Sequence, residues 1–152
     1  TGPMTLHPDF REFIQLLNAH DVQYLVVGGY AVALHGHPRY TKDLDVWIEA
    51  DPENIGCLLE ALREFGFGSL ELDVDDFLEP GTVVQLGRPP QRIDLLTELD
   101  GVVFNDCYAA RQDVILEDVC VSFIGLDALR KNKKASGRHQ DLADLEQLQE
   151  DD

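Results

Sequence analysis

The apolar residues of this chain follow two repeats, the helical one of 3.6 residues and the strand one of two. A helical stripe begins after Asp9, a residue type that caps helix N-termini, and ends near His20. A short apolar run at 24–27 then meets Gly28-Gly29, and residues 30–35 return to helical spacing. The pattern therefore predicts a helix, a strand, and a second helix that follows a paired-glycine turn.

The segment 43–49 alternates polar and apolar side chains with the period of a strand, which places Asp43, Asp45 and Trp47 on one face. Pro52 opens a further helical stripe, which stops at Gly66. The remaining pattern predicts an acidic loop or short helix at 70–79, a hairpin of strands 82–86 and 92–96, a short helix at 104–111, a strand at 119–123, and helices at 126–134 and 140–149 separated by Gly137.

Length and composition describe an ordinary globular chain. Its 152 residues match one average domain, with 44% hydrophobic and 27% charged residues. No apolar run approaches the ~18 residues of a membrane span, and no secretory leader is recognisable, so a cytoplasmic protein is expected. Thr1-Gly2-Pro3 before Met4 is typical of a tag remnant, and residues 4–152 are expected to form a single domain with C-terminal helices.

Charge and cysteine content exclude several classes of protein. The chain has 12 Lys and Arg against 29 Asp and Glu, a net charge of −17, which disfavours an extended nucleic-acid-binding surface. Cys57, Cys107 and Cys120 are odd in number and far apart, so we expect buried, reduced thiols rather than disulfides or a zinc site. No serine lies in a G-x-S-x-G motif, which excludes the corresponding hydrolases.

Three aspartates are the leading candidates for chemistry. Residues two apart on a strand lie about 6.5–7 Å apart and point the same way, so Asp43 and Asp45 can converge on shared hard cations. A neighbouring strand can supply Asp94. Three such carboxylates repel one another unless a divalent metal neutralises them, and Mg²⁺ or Mn²⁺ in pairs ~3.5–4 Å apart serves in-line phosphoryl chemistry.

Phosphate-binding candidates surround these carboxylates in the sequence. Gly28-Gly29 lacks Cβ atoms and precedes a helix N-terminus, so its backbone can approach a polyphosphate closely. Five of the 12 cations fall within 130–138, where Lys133 and Arg138 can neutralise triphosphate charge. Arg39 and Lys42, which flank the first carboxylate pair, are further candidates. A cation-rich helix end that favours the helix dipole is the structural alternative.

Each feature of the carboxylate site also has a structural explanation. Gly28-Gly29 can form a tight turn only, and Asp43 and Asp45 can be solvated turn and strand positions. Asp94 can simply pair with Arg92. Structural roles are expected elsewhere, namely salt bridges of Asp141 and Asp144 with Arg138 or Lys134, loop or surface positions for His35, His37 and His139, and a core position for Trp47.

Two separated motifs carry a family resemblance. Gly28-Gly29-Tyr30-Ala31-Val32 through His35-Gly36, followed by Arg39-x-Thr41-x-Asp43-Leu44-Asp45-Val46, resembles the first motifs of the nucleotidyltransferase superfamily with the DNA polymerase β-type fold. The stretch from Asn132 to Asp144 is similar to the closing motif of small bacterial proteins related to abortive-infection toxin nucleotidyltransferases. The resemblance implies an α/β (α+β) fold with a mixed β-sheet flanked by helices.

The resemblance also implies roles for the candidate residues. Gly28 and Gly29 would contact the triphosphate, Asp43 and Asp45 would hold metal, and Asp94 would complete the site and help activate the acceptor. Many superfamily members carry Gly-Ser where this chain has Gly28-Gly29, so backbone amides are expected to replace the hydroxyl contact.

The sequence therefore predicts a Mg²⁺-dependent (or Mn²⁺-dependent) nucleotidyltransferase that moves an NMP from an NTP to a hydroxyl or amine. The acceptor is expected to be a small molecule, a protein side chain or an RNA end, because the acidic chain disfavours long nucleic acids. A toxin–antitoxin setting with an antitoxin-like protein partner follows from the resemblance alone. The alternative is a catalytically inactive nucleotide-binding or partner-binding module of the same fold.

Overall fold

The computed structural model describes residues 6–36, 42–67, 72–88 and 91–150. Within these ranges the chain forms six strands in one sheet, with helices packed against it. The strands are β1 (Tyr24–Val27), β2 (Leu44–Ile48), β3 (Val83–Arg88), β4 (Gln91–Leu96), β5 (Gln112–Leu116) and β6 (Val119–Phe123). The helices are α1 (Pro8–Ala19), α2 (Gly28–Leu34), α3 (Pro52–Leu62), α4 (Val74–Leu78), α5 (Phe104–Ala109), α6 (Leu126–Ser136) and α7 (His139–Glu150).

The sheet is mixed and has the strand order β3-β4-β2-β1-β6-β5. Strand β2 lies between β1, which it pairs antiparallel, and β4, which it pairs parallel. The hairpins β3–β4 and β5–β6 form the two ends. This architecture confirms the predicted α/β (α+β) class with a mixed sheet flanked by helices, and it places β2, which covers 44–48 of the predicted strand 43–49, at the centre of the sheet.

Large apolar side chains fill the space between sheet and helices. Trp47 is 2% exposed and packs edge-to-face on Phe104, with ring centroids 5.1 Å apart, so its predicted core position is confirmed. On α1, Phe10 meets the Tyr30 ring of α2 in the same T-shaped way at 5.9 Å. Phe10 and Tyr30 therefore anchor the first two helices to each other, and the start of α2 is fixed by packing.

The first helix begins two residues earlier than predicted and has a different cap. Pro8 occupies the first helical position, where its fixed φ suits the helix and its missing N–H costs nothing. The capping residue is His7, whose Nδ1 accepts a hydrogen bond from the Asp9 N–H at 3.1 Å. The predicted cap at Asp9 is wrong for this reason, and Asp9 instead adds negative charge to the first turn.

Strand β5 was missing from the sequence prediction. It pairs with β6 through a two-residue turn at Glu117 and Asp118, which have φ of 50° and 70°. Such turns usually contain Gly or Asn, so this one lacks the expected signal. On β6, Cys120 points to the exposed side, and the predicted burial of all three thiols is wrong for it. Cys107 is buried, Cys57 is partly buried, and all three are free.

The acidic segment contains the short helix α4, one of the two predicted forms. Asp73 caps it, since its Oδ1 accepts from the Asp76 N–H at 3.2 Å while Asp76 Oδ2 accepts from the Asp73 N–H at 2.8 Å. These two carboxylates therefore serve the helix end. In the part of the chain that the structure describes, no helix has the length and apolar character to cross a membrane.

Candidate active site

The turn between β1 and α2 brings the backbone against a carboxylate of the central strand. Gly28 has φ of 67°, a left-handed conformation that residues with a Cβ rarely adopt. A Cβ at Gly28 would also overlap Oδ2 of Asp45. Gly29 follows in the first turn of α2, whose N-cap residue Val27 provides no side-chain acceptor. Gly28 thus fulfils a requirement for close approach, beyond that of an ordinary turn.

Strand register places the next two carboxylates side by side. Asp45 on β2 lies opposite Val27 on one side and opposite Asp94 of the parallel strand β4 on the other. Neighbouring strands lie about 4.8 Å apart, and partners across them share a face. Asp94 is 9% exposed and Asp45 is partly buried. The structure therefore brings Asp45, Asp94 and the Gly28 turn together on the adjacent central strands β4, β2 and β1.

Arg92 connects the third carboxylate to this pair. Its Nε donates to Asp94 Oδ1 at 2.8 Å, and its Nη2 donates to Asp94 Oδ2 at 3.2 Å and to Asp43 Oδ2 at 3.1 Å. These bonds, with the negative charge of Asp94, raise the pKa of the guanidinium. The pairing of Arg92 with Asp94, which was one alternative at the sequence level, is present, and it also draws Asp43 toward Asp94. We call Asp43, Asp45 and Asp94 with Arg92 the carboxylate cluster.

The position of Asp45 among these groups raises the pKa of its carboxyl. Burial, followed by the charges of Asp94 and Asp43, raises its pKa to about 7, although Lys133 acts in the opposite direction. The repulsion among these aspartates therefore adds to burial in favouring the protonated form of Asp45. A cation bound nearby would favour its charged form.

Two of the predicted phosphate-binding cations lie near Asp45 but are engaged with α7. Lys133 is 6% exposed, and its Nζ lies 3.1 Å from Asp141 Oδ1 and 3.2 Å from Asp144 Oδ2. Arg138 is exposed and donates through Nε to Asp141 Oδ2 at 2.7 Å. Burial would raise the pKa of Asp141, but hydrogen bonds from Arg138 and Lys133 outweigh it and lower that pKa.

These contacts test the salt bridges predicted for the last helix. The predicted pair of Asp141 with Arg138 is present. The other predicted partner, Lys134, is exposed, and Lys133 makes the contacts to α7 instead. The reason is helical phase, since position 133 faces α7 and position 134 faces solvent.

The loop before α5 holds α6 in position. The Asn132 side chain donates to the Asp100 carbonyl at 3.1 Å, and Ser136 Oγ donates to Asp100 Oδ2 at 3.2 Å. Gly101 has φ of 80°, and a Cβ on it would lie 2.5 Å from the Cβ of Ala135. Close contact with this loop therefore fixes the helix that carries Lys133 relative to the sheet.

The remaining predicted site residues are less informative. Lys42 is exposed at the start of the segment that leads into β2. His35 ends α2, with its Nε2 2.8 Å from the carbonyl of Ile124, and His139 is exposed at the start of α7. Structural roles for these two histidines fit this placement. Arg39 and His37 lie outside the described residues.

Asp43, Asp45 and Asp94 offer the kind of oxygen ligand that suits a divalent metal. Their present arrangement does not form a complete coordination site. Carboxylate oxygens are the ligands that Mg²⁺ and Mn²⁺ prefer, and the charges of Asp94 and Asp43 add to burial in raising the pKa of Asp45. Within the described ranges no three Asp, Glu, His or Cys side chains form a group that could hold a metal as they stand. Two of the three carboxylates of the cluster are instead bridged by Arg92.

Sequence reasoning identified the three carboxylates but missed this bridge. Arg92 was considered only as a partner of Asp94. The signal was the two-residue spacing that puts Arg92 and Asp94 on one face of β4, but the contact to Asp43 depends on the β2–β4 register.

Comparison with known proteins supports a fold assignment. No family model and no curated protein matches the chain. Among solved structures, the lincosamide antibiotic adenylyltransferase LnuA bound to lincomycin has a TM-score of 0.57 at 14% identity, over 95% of this chain and 97% of its own. A candidate nucleotidyltransferase from Thermotoga maritima has a TM-score of 0.60 at 14% identity, over 99% and 98%. An antigenic nucleotidyltransferase-like protein from Paracoccidioides brasiliensis has a TM-score of 0.54 at 20% identity, over 95% and 78%. The chain therefore has the nucleotidyltransferase fold.

Proposed function

We propose that the protein is a divalent-metal-dependent nucleotidyltransferase that transfers an NMP from an NTP to an acceptor hydroxyl or amine. The observation that carries this proposal is the position of Asp45, which lies between the Gly28 backbone and Asp94. In the reaction, an acceptor oxygen or nitrogen bonds to the α-phosphorus while the bond from that phosphorus to the pyrophosphate oxygen breaks. The acceptor proton passes to a carboxylate, and pyrophosphate leaves.

The residues of the cluster divide these tasks. Asp43, Asp45 and Asp94 would hold the metal, which when bound neutralises phosphate charge and orients the α-phosphate. The backbone N–H groups at Gly28 and Gly29 would contact the triphosphate. Asp94, which is 9% exposed, would accept or position the acceptor proton.

Cations outside the cluster would add to phosphate binding. Arg138 is exposed between α6 and α7. The hydrogen bond to Asp141 is the main cause of its raised pKa, and Asp45 also contributes, so Arg138 lies within electrostatic range of the carboxylate cluster. Lys133, held by two carboxylates, would act mainly by its charge and by fixing α7. Arg39 and Lys42 stay candidates for phosphate contacts.

The acceptor we favour is a small molecule. A net charge of −17 repels a long polyanion, and LnuA, a lincosamide adenylyltransferase, matches this chain over almost its full length. The toxin–antitoxin setting, an antitoxin-like partner and a cytoplasmic location stay predictions from the sequence.

One observation favours the alternative of an inactive binding module. Arg92 already pairs with two of the three carboxylates, so a chain that had lost metal chemistry would retain a cluster held together by these ion pairs. Such a module would bind nucleotide or a protein partner without turnover.

Pyrophosphate release separates the two functions. We would incubate each NTP and Mg²⁺ with panels of small alcohols and amines, including lincosamide scaffolds, and of short RNAs. Asp94→Asn tests the cluster, and Asp75→Asn on the exposed face of α4 is the matched control. Acceptor-dependent release that Asp94→Asn abolishes and Asp75→Asn retains is expected. Nucleotide binding without release under every condition would support the inactive module.

A further inference from the structure

Resting on the proposed function, we propose that Arg92 is an exchangeable counterion of the carboxylate cluster. In the metal-free protein it holds Asp43 and Asp94 together. When the metal–nucleotide complex binds, Arg92 gives up carboxylate oxygens to the metal and turns to the phosphates of the nucleotide. Arg92 therefore weakens binding of the metal alone and strengthens binding of the metal together with nucleotide.

The present contacts of Arg92 use the atoms that a metal needs. Both carboxylate oxygens of Asp94 accept from Arg92, at 2.8 and 3.2 Å, and one oxygen of Asp43 accepts at 3.1 Å. A divalent ion bound to these oxygens would compete for them and would repel the guanidinium at short range. Arg92 must therefore weaken at least one of these bonds when the ion binds.

The neighbouring cation Lys133 is not exchangeable in this way. Its partners Asp141 and Asp144 belong to α7, and they are 2% and 1% exposed. A metal bound to the carboxylate cluster would not compete for the Asp141 and Asp144 oxygens that contact Lys133. The partners of Arg92 are the candidate metal ligands themselves, so Arg92 is the cation that metal binding releases.

A released Arg92 has a clear next partner. It stays on β4 two residues from Asp94, with its side chain 27% exposed, and the triphosphate is the negative charge that arrives with the metal. A guanidinium offers a planar fork of donors that matches phosphate oxygens. Carboxylate contacts in the free protein would in this way be replaced by phosphate contacts in the complex.

The test compares Arg92→Met with wild type in two titrations. Mn²⁺ alone, followed by the paramagnetic resonance signal of the free ion, is expected to bind the variant about tenfold more tightly, because its competitor is gone. The Mg²⁺ complex of the preferred NTP, followed by calorimetry, is expected to bind it about tenfold more weakly. Arg63→Met, which removes a surface pair with Glu60, is the matched control and should change neither.

Opposite shifts in the two titrations support the exchange. Mn²⁺ binding that is unchanged or weaker in Arg92→Met would overturn it, as would unchanged binding of the Mg²⁺–NTP complex. Wild type that binds neither ligand would refute the proposed function itself, a result that needs no variant. If circular dichroism shows that Arg92→Met does not fold, the same two titrations are made with Arg92→Lys. This variant keeps the positive charge but loses the planar fork of guanidinium donors. Its Mn²⁺ affinity should rise and its nucleotide affinity should fall by at least about threefold.

Discussion

Gly28 is the residue on which the close approach of backbone and carboxylate depends. We predict that Gly28→Ala destabilises the protein by about 1–2 kcal/mol through its positive φ alone, with a further loss from overlap with Asp45. Urea unfolding measures the loss, and metal-dependent nucleotide binding should disappear with it. Gly56→Ala is the control, because a Cβ there meets open space within α3, and it should raise stability by ~0.5–1 kcal/mol. A Gly28→Ala protein as stable as wild type would contradict this account of the turn.

Asp45 gives the metal-free protein a pH-dependent weakness. Its pKa of about 7 in the folded chain exceeds the ordinary 3.8, so folding favours the protonated form. The resulting stability is fully present below pH 3.8 and is lost as pH rises through 7. Asp45→Asn, which cannot ionise, is therefore expected to gain on wild type between pH 5 and pH 8, by about 2 kcal/mol at the upper end.

The stability difference between Asp45→Asn and wild type can be measured by thermal or urea unfolding across this pH range, in the presence of a metal chelator. Asp75→Asn, which removes an exposed carboxylate of α4, should show no such trend. A difference between Asp45→Asn and wild type that stays constant with pH would show that the Asp45 carboxyl is not perturbed as the structure indicates.

The sequence predicts the position of a side chain when that position depends on one strand alone, and not when it depends on contacts between distant strands. The two-residue period of the segment 43–49 is enough to predict that Asp43 and Asp45 share a face, because the period is a property of a single strand. The adjacency of Asp45 and Asp94 required a parallel register between strands that are far apart in the sequence. The Arg92 bridge needed that register together with a side-chain conformation, neither of which a local pattern contains.

Among the elements, α7 is fastened to α6 by a buried ionic group. Lys133 connects Asp141 and Asp144, which are almost fully buried, and removal of one member of such a group leaves charge without compensation. We predict that Lys133→Met lowers the free energy of unfolding by about 3 kcal/mol and increases hydrogen exchange in 139–150. Lys134→Met, one position along on the exposed face, should change both by little.

The same variant separates two roles of Lys133. If its main task were to bind triphosphate, Lys133→Met would weaken nucleotide binding and leave stability and exchange in α7 near their wild-type values. That outcome would contradict the structural role that the two ion pairs indicate.

Element boundaries were predictable where the chain carries its own stop signals. Pro52 opens α3 with Asp51 as its cap, and Gly137, with φ of 67°, ends α6, both as residue type indicates. The predicted boundaries were wrong where a cap or turn position holds a residue type that is uncommon there. His7 replaces a typical cap at α1, and Glu117-Asp118 replaces a glycine turn before β6.

On the scale of the whole molecule, an acidic chain keeps several of its cations near one acidic cluster. The net charge is −17, yet Arg92, Lys133 and Arg138 all interact electrostatically with Asp45. Fixed cations around carboxylates can hold a site together without metal and can stabilise phosphate when metal is present. The fold predicted from the motifs is confirmed, whereas catalysis and acceptor depend on this cluster and stay proposals.

The most direct test of the central claim is calorimetric titration of the four NTPs with Mg²⁺ into wild type, Asp45→Asn and Asp75→Asn. We expect at least one NTP to bind wild type and Asp75→Asn only when Mg²⁺ is present, and Asp45→Asn to lose this binding. Asp45→Asn that binds as wild type does, or wild type that binds no NTP, would contradict the claim that the carboxylate cluster is a metal–nucleotide site.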